Sequence, residues 1–231
     1  MVRDKAGVTR FDIISRHIVR KLLGFLGKIT IREREYAFIL QSLHNLTACS
    51  SAGILRILDI GSSSSLLPWR LARKGYDVTA VDIRPYPFRQ RNLHFIQADI
   101  TSCDFGRNLV AFDVAICIST IEHIGIGHYG DSMAQEGDKL ALDSIHRVLK
   151  PMGALIITMP FSGQYNQDDF QRIYDPDSIF RVFSLGWRLK EERYYIPKSR
   201  KHWVLASREE AILHHKAWPE SNNACFWFEK V

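Results

Sequence analysis

RILDIGSSSSLLPWRLARKGYDVTAVDI, residues 56–83, reads as a strand, a tight turn, a helix and a second strand. Arg56 to Ile60 is a short apolar run of strand type. Gly61 ends it where the chain must turn sharply, a conformation that glycine reaches at little steric cost. Ser64 or Ser65 is placed to cap the following helix through its hydroxyl. Pro68 falls in the first turn, where a missing N–H does little harm. Gly75 stands just past the helix end, where glycine favours termination. The second strand, Asp77 to Ile83, delivers Asp82 about 20 residues after Gly61, the spacing at which a β-α-β nucleotide site sets an acid against a ribose hydroxyl.

A dinucleotide site would ask for G-x-G-x-x-G, because the backbone must approach a pyrophosphate closely. Ser63 and Leu66 occupy the second and third glycine positions, which disfavours a pyrophosphate. The order Asp59-x-Gly61-x-Ser63-x-Ser65 resembles motif I, D/E-x-G-x-G-x-G, of the class I S-adenosylmethionine-dependent methyltransferases. Serine is small enough for close approach, although each Cβ narrows the slot. The resemblance covers roughly residues 54–162 and is weaker as far as 207. It implies S-adenosyl-L-methionine as cofactor, with Asp59, Gly61 and Ser63 forming its turn. It also implies that Asp82 takes both ribose hydroxyls and that Ile83 packs near the adenine. In FIQADIT, Asp99 would accept the adenine amino group and Ile100 would lie against the ring. The plain alternative is a β-α-β turn that holds no ligand.

The composition fits this frame. A chain of 231 residues with 46% apolar side chains is long enough for one α/β domain and an appendage. The four cysteines are scattered without a C-x-x-C pair, which suggests neither a zinc cluster nor a disulfide framework. The N-terminus shows no apolar signal core, and no apolar run is long enough to span a membrane, so a cytoplasmic location is expected. The net charge of +6 is uneven: +5 over residues 1–35, −3 over 36–180 and +4 over 181–231. An acidic centre between basic ends argues against a nucleic-acid groove. It is compatible with basic ends meeting an anionic substrate or a lipid surface.

Helical spacing of Phe11, Ile14, Ile18, Leu22 and Phe25 predicts a helix over 10–27, and a second runs from Ile31 to Ala48. Strands are expected at Arg56–Ile60, Asp77–Ile83, Leu93–Ile100, Phe112–Ser119 and Ala154–Pro160, then at Trp187–Ile196 and His202–Ser207. Helices are expected at Gly137–Leu149 and Pro176–Ser184. Alternating strands and helices imply a parallel sheet covered on both faces. The short link Pro197–Lys201 suits an antiparallel pair. The expected fold is therefore a Rossmann-like, seven-stranded, mostly parallel sheet with an antiparallel C-terminal strand and an N-terminal helical extension. Its parts are an extension at 1–50, a cofactor-binding domain at 51–210 and a tail at 211–231.

Strand four runs into ISTIEHIGIGHYGD, where ligands of open α/β sheets bind. Ser119, Thr120, Glu122, His123, His128, Tyr129 and Asp131 cluster there, and glycines 125, 127 and 130 let the loop fold over a ligand. Ser119 is read as a cofactor contact. The I-E-H-I-G-x-G-x-Y-G-D pattern also resembles a group of bacterial methyltransferase-like proteins. Methyl transfer to a hydroxyl benefits from a base near neutrality, which selects His123, with Glu122 as alternate or orienter. The competing reading is that both merely shape the loop. Some quinone O-methyltransferases place E-x-x-E-H here to hold a divalent ion. Ser119 replaces the first acid, so no metal is expected.

After strand five, Tyr165, Asp169, Arg172 and Tyr174 mix aromatic faces with charge, as a sugar or polar small-molecule site does, although for any one of them a solvated loop is the favoured reading. The leading reading is a methyltransferase acting on oxygen of a small polar or saccharide-like acceptor, with no nucleic-acid partner. The alternative is a non-catalytic module of the same fold that meets a membrane surface or protein partner through residues 10–27, peripheral rather than spanning, whereas the favoured reading of that helix is a cap on the acceptor pocket or a layer on the sheet. The sequence leaves the oligomeric state open.

Overall fold

In a computed structural model of the protein, the described residues are 10–25, 30–49, 53–109, 111–199, 201–214 and 221–231. Helices α1 (Arg10–Phe25) and α2 (Ile31–Cys49) precede β1 (Arg56–Ile60), α3 (Leu67–Arg73), β2 (Asp77–Asp82), β3 (Leu93–Gln97) and β4 (Phe112–Ile118). A 3₁₀ turn (Ile121–His123) leads to α4 (Gly137–Val148) and β5 (Leu149–Phe161). A small ribbon pairs β6 (Asn166–Gln167) with β7 (Arg172–Ile173). Then come α5 (Pro176–Phe183), β8 (Trp187–Ser199), β9 (His202–Ala206), α6 (Arg208–Leu213) and β10 (Asn222–Lys230).

The main sheet runs β3-β2-β1-β4-β5-β10-β8-β9. The first five strands are parallel, and β10 is antiparallel to both neighbours. The mostly parallel sheet and its antiparallel C-terminal part are as expected, but the strands number eight, not seven. The expected hairpin exists as β8–β9. The additional strand is β10, which lies within the segment read as a tail. It wedges between β5 and β8, from Asn222 opposite Phe161 to Glu229 opposite Ala154. Ala224, Cys225, Phe226 and Phe228 are buried there. An interior strand is covered on both faces, so its sequence is a continuous apolar run without alternation. Other expectations fall outside the described residues: the loose terminus at 1–9, the last two positions of the 10–27 helix, the boundary at 50–51 and residues 215–220 of the tail.

Successive side chains of β1 part to opposite faces, as the two-residue strand period requires. Ile57 joins Phe38, Ile39, Leu43 and Leu71 under α2 and α3, with Val114 and Ile116 of β4. Leu58 and Ile60 join Leu142, Ile145, Phe183, Phe226 and Phe228 under α4 and α5. Helix α5 begins on a capping box: Asp175 accepts the Ser178 N–H at 2.8 Å, and Ser178 Oγ accepts the Asp175 N–H at 2.8 Å. Both helical layers leave open the edge where the parallel strands end.

Candidate functional site

A cavity of about 360 Å³ opens at that edge. Its walls include Gly61, Ser64 and Ser65 after β1, and Asp82, Ile83 and Arg84 at the end of β2. Asp99 and Ile100 follow β3, Ser119, Thr120 and Glu122 to Ile124 follow β4, and Pro160 belongs to β5. The structure therefore gathers nine of the ten sequence-derived site residues around one space: Asp59, Gly61, Asp82, Ile83, Asp99, Ile100, Ser119, Glu122 and His123.

Ser63 is the exception. It is buried, its N–H donates to Asp82 Oδ2 at 2.8 Å, and its side chain does not line the cavity. Gly61 has φ +75°, and a Cβ there would sit 2.2 Å from Thr120 Oγ1 and 2.8 Å from Thr120 Cβ. Glycine is thus required twice, by conformation and by space. The cap of α3 is Leu66, which makes no side-chain capping bond, and not the expected Ser64 or Ser65; Ser65 Oγ, one residue earlier, accepts the Leu67 N–H at 3.1 Å.

Asp82 is buried, and its other oxygen accepts the Arg84 N–H at 2.9 Å. Asp99 Oδ1 accepts from both the N–H and the hydroxyl of Thr101, at 2.8 and 2.7 Å. Burial pushes the Asp59 carboxyl up to about 8; the charge of Asp82 adds to the rise and Arg32 opposes it.

The glycine loop folds back as its sequence suggests. Gly125, Gly127 and Gly130 all have positive φ. Asp131 gathers the loop by accepting the N–H groups of Gly125 at 2.7 Å, Gly127 at 3.2 Å and Tyr129 at 3.3 Å. The Arg84 guanidinium lies 4.6 Å from the centre of the Tyr129 ring, tying the loop to the end of β2. His128 does not line the cavity; it packs edge-on against Phe170 and Tyr129.

His123 Nδ1 lies 2.7 Å from the Phe170 carbonyl oxygen. A carbonyl only accepts, so Nδ1 carries the proton and Nε2 holds the lone pair. Nε2 is 3.7 Å from Glu122 Oε1, beyond hydrogen-bond length. Burial lowers the His123 pKa below its ordinary 6.5. Burial raises Glu122 to about 8, its own backbone N–H opposing the rise and Glu35 reinforcing it. Burial thus favours the neutral form of both groups.

The segment after β5 divides differently from the expectation. Arg172 and Tyr174 are buried structural groups: Arg172 Nη1 donates to the Ile124 carbonyl at 2.7 Å, and Tyr174 OH donates to Asp138 at 3.0 Å. Phe170 and Gln171 face the cavity instead. The sequence reading also missed Arg16, Arg32, Tyr36, Trp203 and the run Ser221–Asn223 on the walls. For the last of these the signal was a polar S-N-N directly before an interior strand.

Comparison with known proteins places these features. Residues 58–157 match the family described as "Methyltransferase domain". A ubiquinone biosynthesis O-methyltransferase of Rickettsia akari is 29% identical over 133 residues, covering 53% of this chain and 51% of that protein. The chain thus spans about half the length of that relative. The protein of the same name from Albidiferax ferrireducens is 23% identical, with 76% of each chain covered. Among solved structures, the N-methyltransferase NodS of Bradyrhizobium japonicum in complex with S-adenosyl-L-homocysteine aligns with a TM-score of 0.53 at 15% identity, covering 86% of each chain. The 1,6-didemethyltoxoflavin-N1-methyltransferase of Burkholderia thailandensis aligns with a TM-score of 0.56 at 14% identity, covering 77% of this chain and 72% of its own.

Proposed function

We propose that this chain, which has the class I S-adenosylmethionine-dependent methyltransferase fold and matches the methyltransferase-domain family over residues 58–157, is an S-adenosylmethionine-dependent methyltransferase acting on oxygen of a small polar acceptor. One observation carries the reading: Gly61, Asp82 and Asp99 meet around a single cavity at the carboxyl ends of β1, β2 and β3. That donor set fits the cofactor. Two carboxylates suit a ribose diol and an adenine amino group, Ile83 and Ile100 offer apolar surface to a purine, and the Gly61 cradle leaves no room for a Cβ. The relatives named O-methyltransferases favour oxygen over nitrogen as the acceptor atom.

Bound there, the cofactor supplies an electrophilic methyl group and a thioether leaving group. The protein's part is alignment and exclusion of water, which contributes on the order of 7–11 kcal/mol. The loop gathered by Asp131 forms part of the cavity wall, and Arg84 with Tyr129 ties it to the end of β2. His123 Nε2 takes the acceptor's hydroxyl proton, while the Phe170 carbonyl fixes the tautomer. Calorimetry with S-adenosylmethionine, followed by transfer of its labelled methyl group to a panel of hydroxylated small molecules including saccharides, tests the reading. Absence of cofactor binding would end it; binding with transfer only to amines would move the acceptor atom.

A second reading concerns α1. Phe11, Ile14, Ile18 and Val19 are exposed, although the first three share one helical stripe. Ile13 alone among the helix's described apolar residues is buried, against Leu66, Tyr86 and Phe88. Arg16, three residues on, reaches the cavity wall. An outward apolar row on a basic helix supports contact with an anionic lipid surface at the cavity mouth.

A further inference from the structure

We infer that Glu35 is a positioning residue that couples the seating of α2 to the shape of the cofactor cavity; the inference rests on the cofactor reading above. Glu35 lies in the apolar stripe of α2, four residues after Ile31 and four before Ile39, and is fully buried. Its Oε1 collects three donors: Ser119 Oγ at 2.5 Å, Thr158 Oγ1 at 2.6 Å and Asn223 Nδ2 at 3.3 Å. Ser119 directly follows β4, Thr158 lies in the C-terminal part of β5 and Asn223 near the start of β10, three adjacent strands of the sheet. One carboxylate oxygen therefore fastens α2 to the middle of the ligand-binding edge.

Its second oxygen lies 3.2 Å from Arg32 Nη1, close enough for an ion pair although outside hydrogen-bond geometry. Arg32 is itself a cavity wall. The next residue, Tyr36, meets Ser65 Oγ at 3.1 Å, so neighbouring side chains of one helical turn grip both the β1–α3 turn and the β4 end. Ser119 has φ +41°, a left-handed conformation unusual for a residue with a side chain. Its N–H is held by Thr158, from both the carbonyl at 3.0 Å and Oγ1 at 3.1 Å. Its hydroxyl is held by Glu35. Without the carboxylate, the three donors lose their common acceptor and the Arg32 guanidinium loses its ion-pair partner.

Glu35→Gln separates the two duties, since an amide oxygen still accepts from the strand ends but carries no charge for Arg32. Calorimetric titration with S-adenosylhomocysteine is the test, with the folded fraction read from the stoichiometry. The wild type binds; Glu35→Gln weakens binding about tenfold, because three charge-assisted bonds become neutral ones and Arg32 loses its ion pair. Arg32→Ala and the Arg32→Ala/Glu35→Gln double variant then agree within about twofold, because the two residues act as one unit. A merely structural Glu35 would lower stability and leave the affinity of the folded fraction unchanged, and that result overturns the inference. If Glu35→Gln does not fold, Thr158→Val decides: about a threefold loss supports the role and unchanged affinity refutes it. Failure of the wild type to bind overturns the cofactor reading as well, whereas normal binding by all variants overturns only the role of Glu35.

Discussion

Asp82 accepts the backbone N–H of Ser63 at 2.8 Å, so the acid that ends β2 also holds the turn that ends β1. That bond answers the question for Ser63, the first of the two serines in the glycine motif; Ser65 stays on the cavity wall. Pulling the Ser63 backbone toward Asp82 leaves the Ser63 side chain buried and off the cavity wall. The substitution therefore does not obstruct the space beside Gly61. Ser63→Gly is expected to leave S-adenosylhomocysteine affinity within about threefold of wild type, as loss of a side chain without a cavity contact should. Asp82→Asn keeps the shape but removes the charge, and should weaken binding at least about tenfold. Calorimetry on both variants checks this; a gain of affinity in Ser63→Gly would mean that the serine does narrow the slot.

Asp59 and Glu122 give the unliganded protein a particular pH response. Both are buried, and both carboxyls are raised to about 8 in the fold, chiefly by desolvation. In the unfolded chain they ionise near pH 4. Between those values the native state binds more protons, so their contribution to stability is complete below about pH 4 and is lost as pH rises to about 8. Asp59→Asn and Glu122→Gln should each flatten the fall of the thermal midpoint between about pH 5 and pH 8, by several degrees relative to wild type. Parallel curves for wild type and variants would show that the carboxyls are already ionised at pH 5.

The parts of the molecule visible in the sequence were those with local periodicity. The β1–α3–β2 unit carries its own turn chemistry, and the acids at 82 and 99 sit at strand ends that apolar runs define. The cavity wall from α2 and β10 was hidden because it is built by contacts between distant segments. Glu35 reaches Asn223 across 188 positions. One local signal existed: an acid in the middle of an apolar helical stripe, which is rarely buried unless paired. For β10, the run Ala-Cys-Phe-Trp-Phe reads as an interior strand, but a place for it appears only when β5 and β8 are seen not to touch. Arg172 was misread because charge after a strand end suggests a ligand; its real duty, tethering the Ile124 carbonyl, involves a chain segment 48 residues earlier.

His123 makes a kinetic prediction. Burial holds its pKa below 6.5, and the Phe170 carbonyl, which opposes the shift, secures the proton on Nδ1. The imidazole is therefore ready as a base at neutral pH. The rate constant kcat should rise with pH through one ionisation below 6.5, and a second inflection near pH 8 would report the Glu122 carboxyl beside it. His123→Ala should lower kcat by about 10²- to 10⁴-fold while S-adenosylhomocysteine affinity stays within about threefold. A variant with nearly full kcat would assign His123 to loop architecture, where its packing on Phe170 already places it.

The exposed row on α1 should bind vesicles in a manner that charge and apolar contact both control. Residues 1–35 carry nine Lys/Arg against four Asp/Glu, which suits an anionic headgroup layer. Phe11, at 78% exposure, and Ile18, at 52%, are the side chains best placed to enter the interface. Wild-type protein should float with vesicles of equal phosphatidylglycerol and phosphatidylcholine at low salt. It should remain behind with phosphatidylcholine alone, and lose most of its binding as ionic strength rises. Because both side chains are exposed, Phe11→Asp/Ile18→Asp should abolish flotation with little change in the thermal midpoint. Light scattering on the same pair distinguishes the competing occupant. A wild-type dimer that the double variant converts to monomer, without any vesicle binding, would mean that the row meets a second copy of the chain and not lipid.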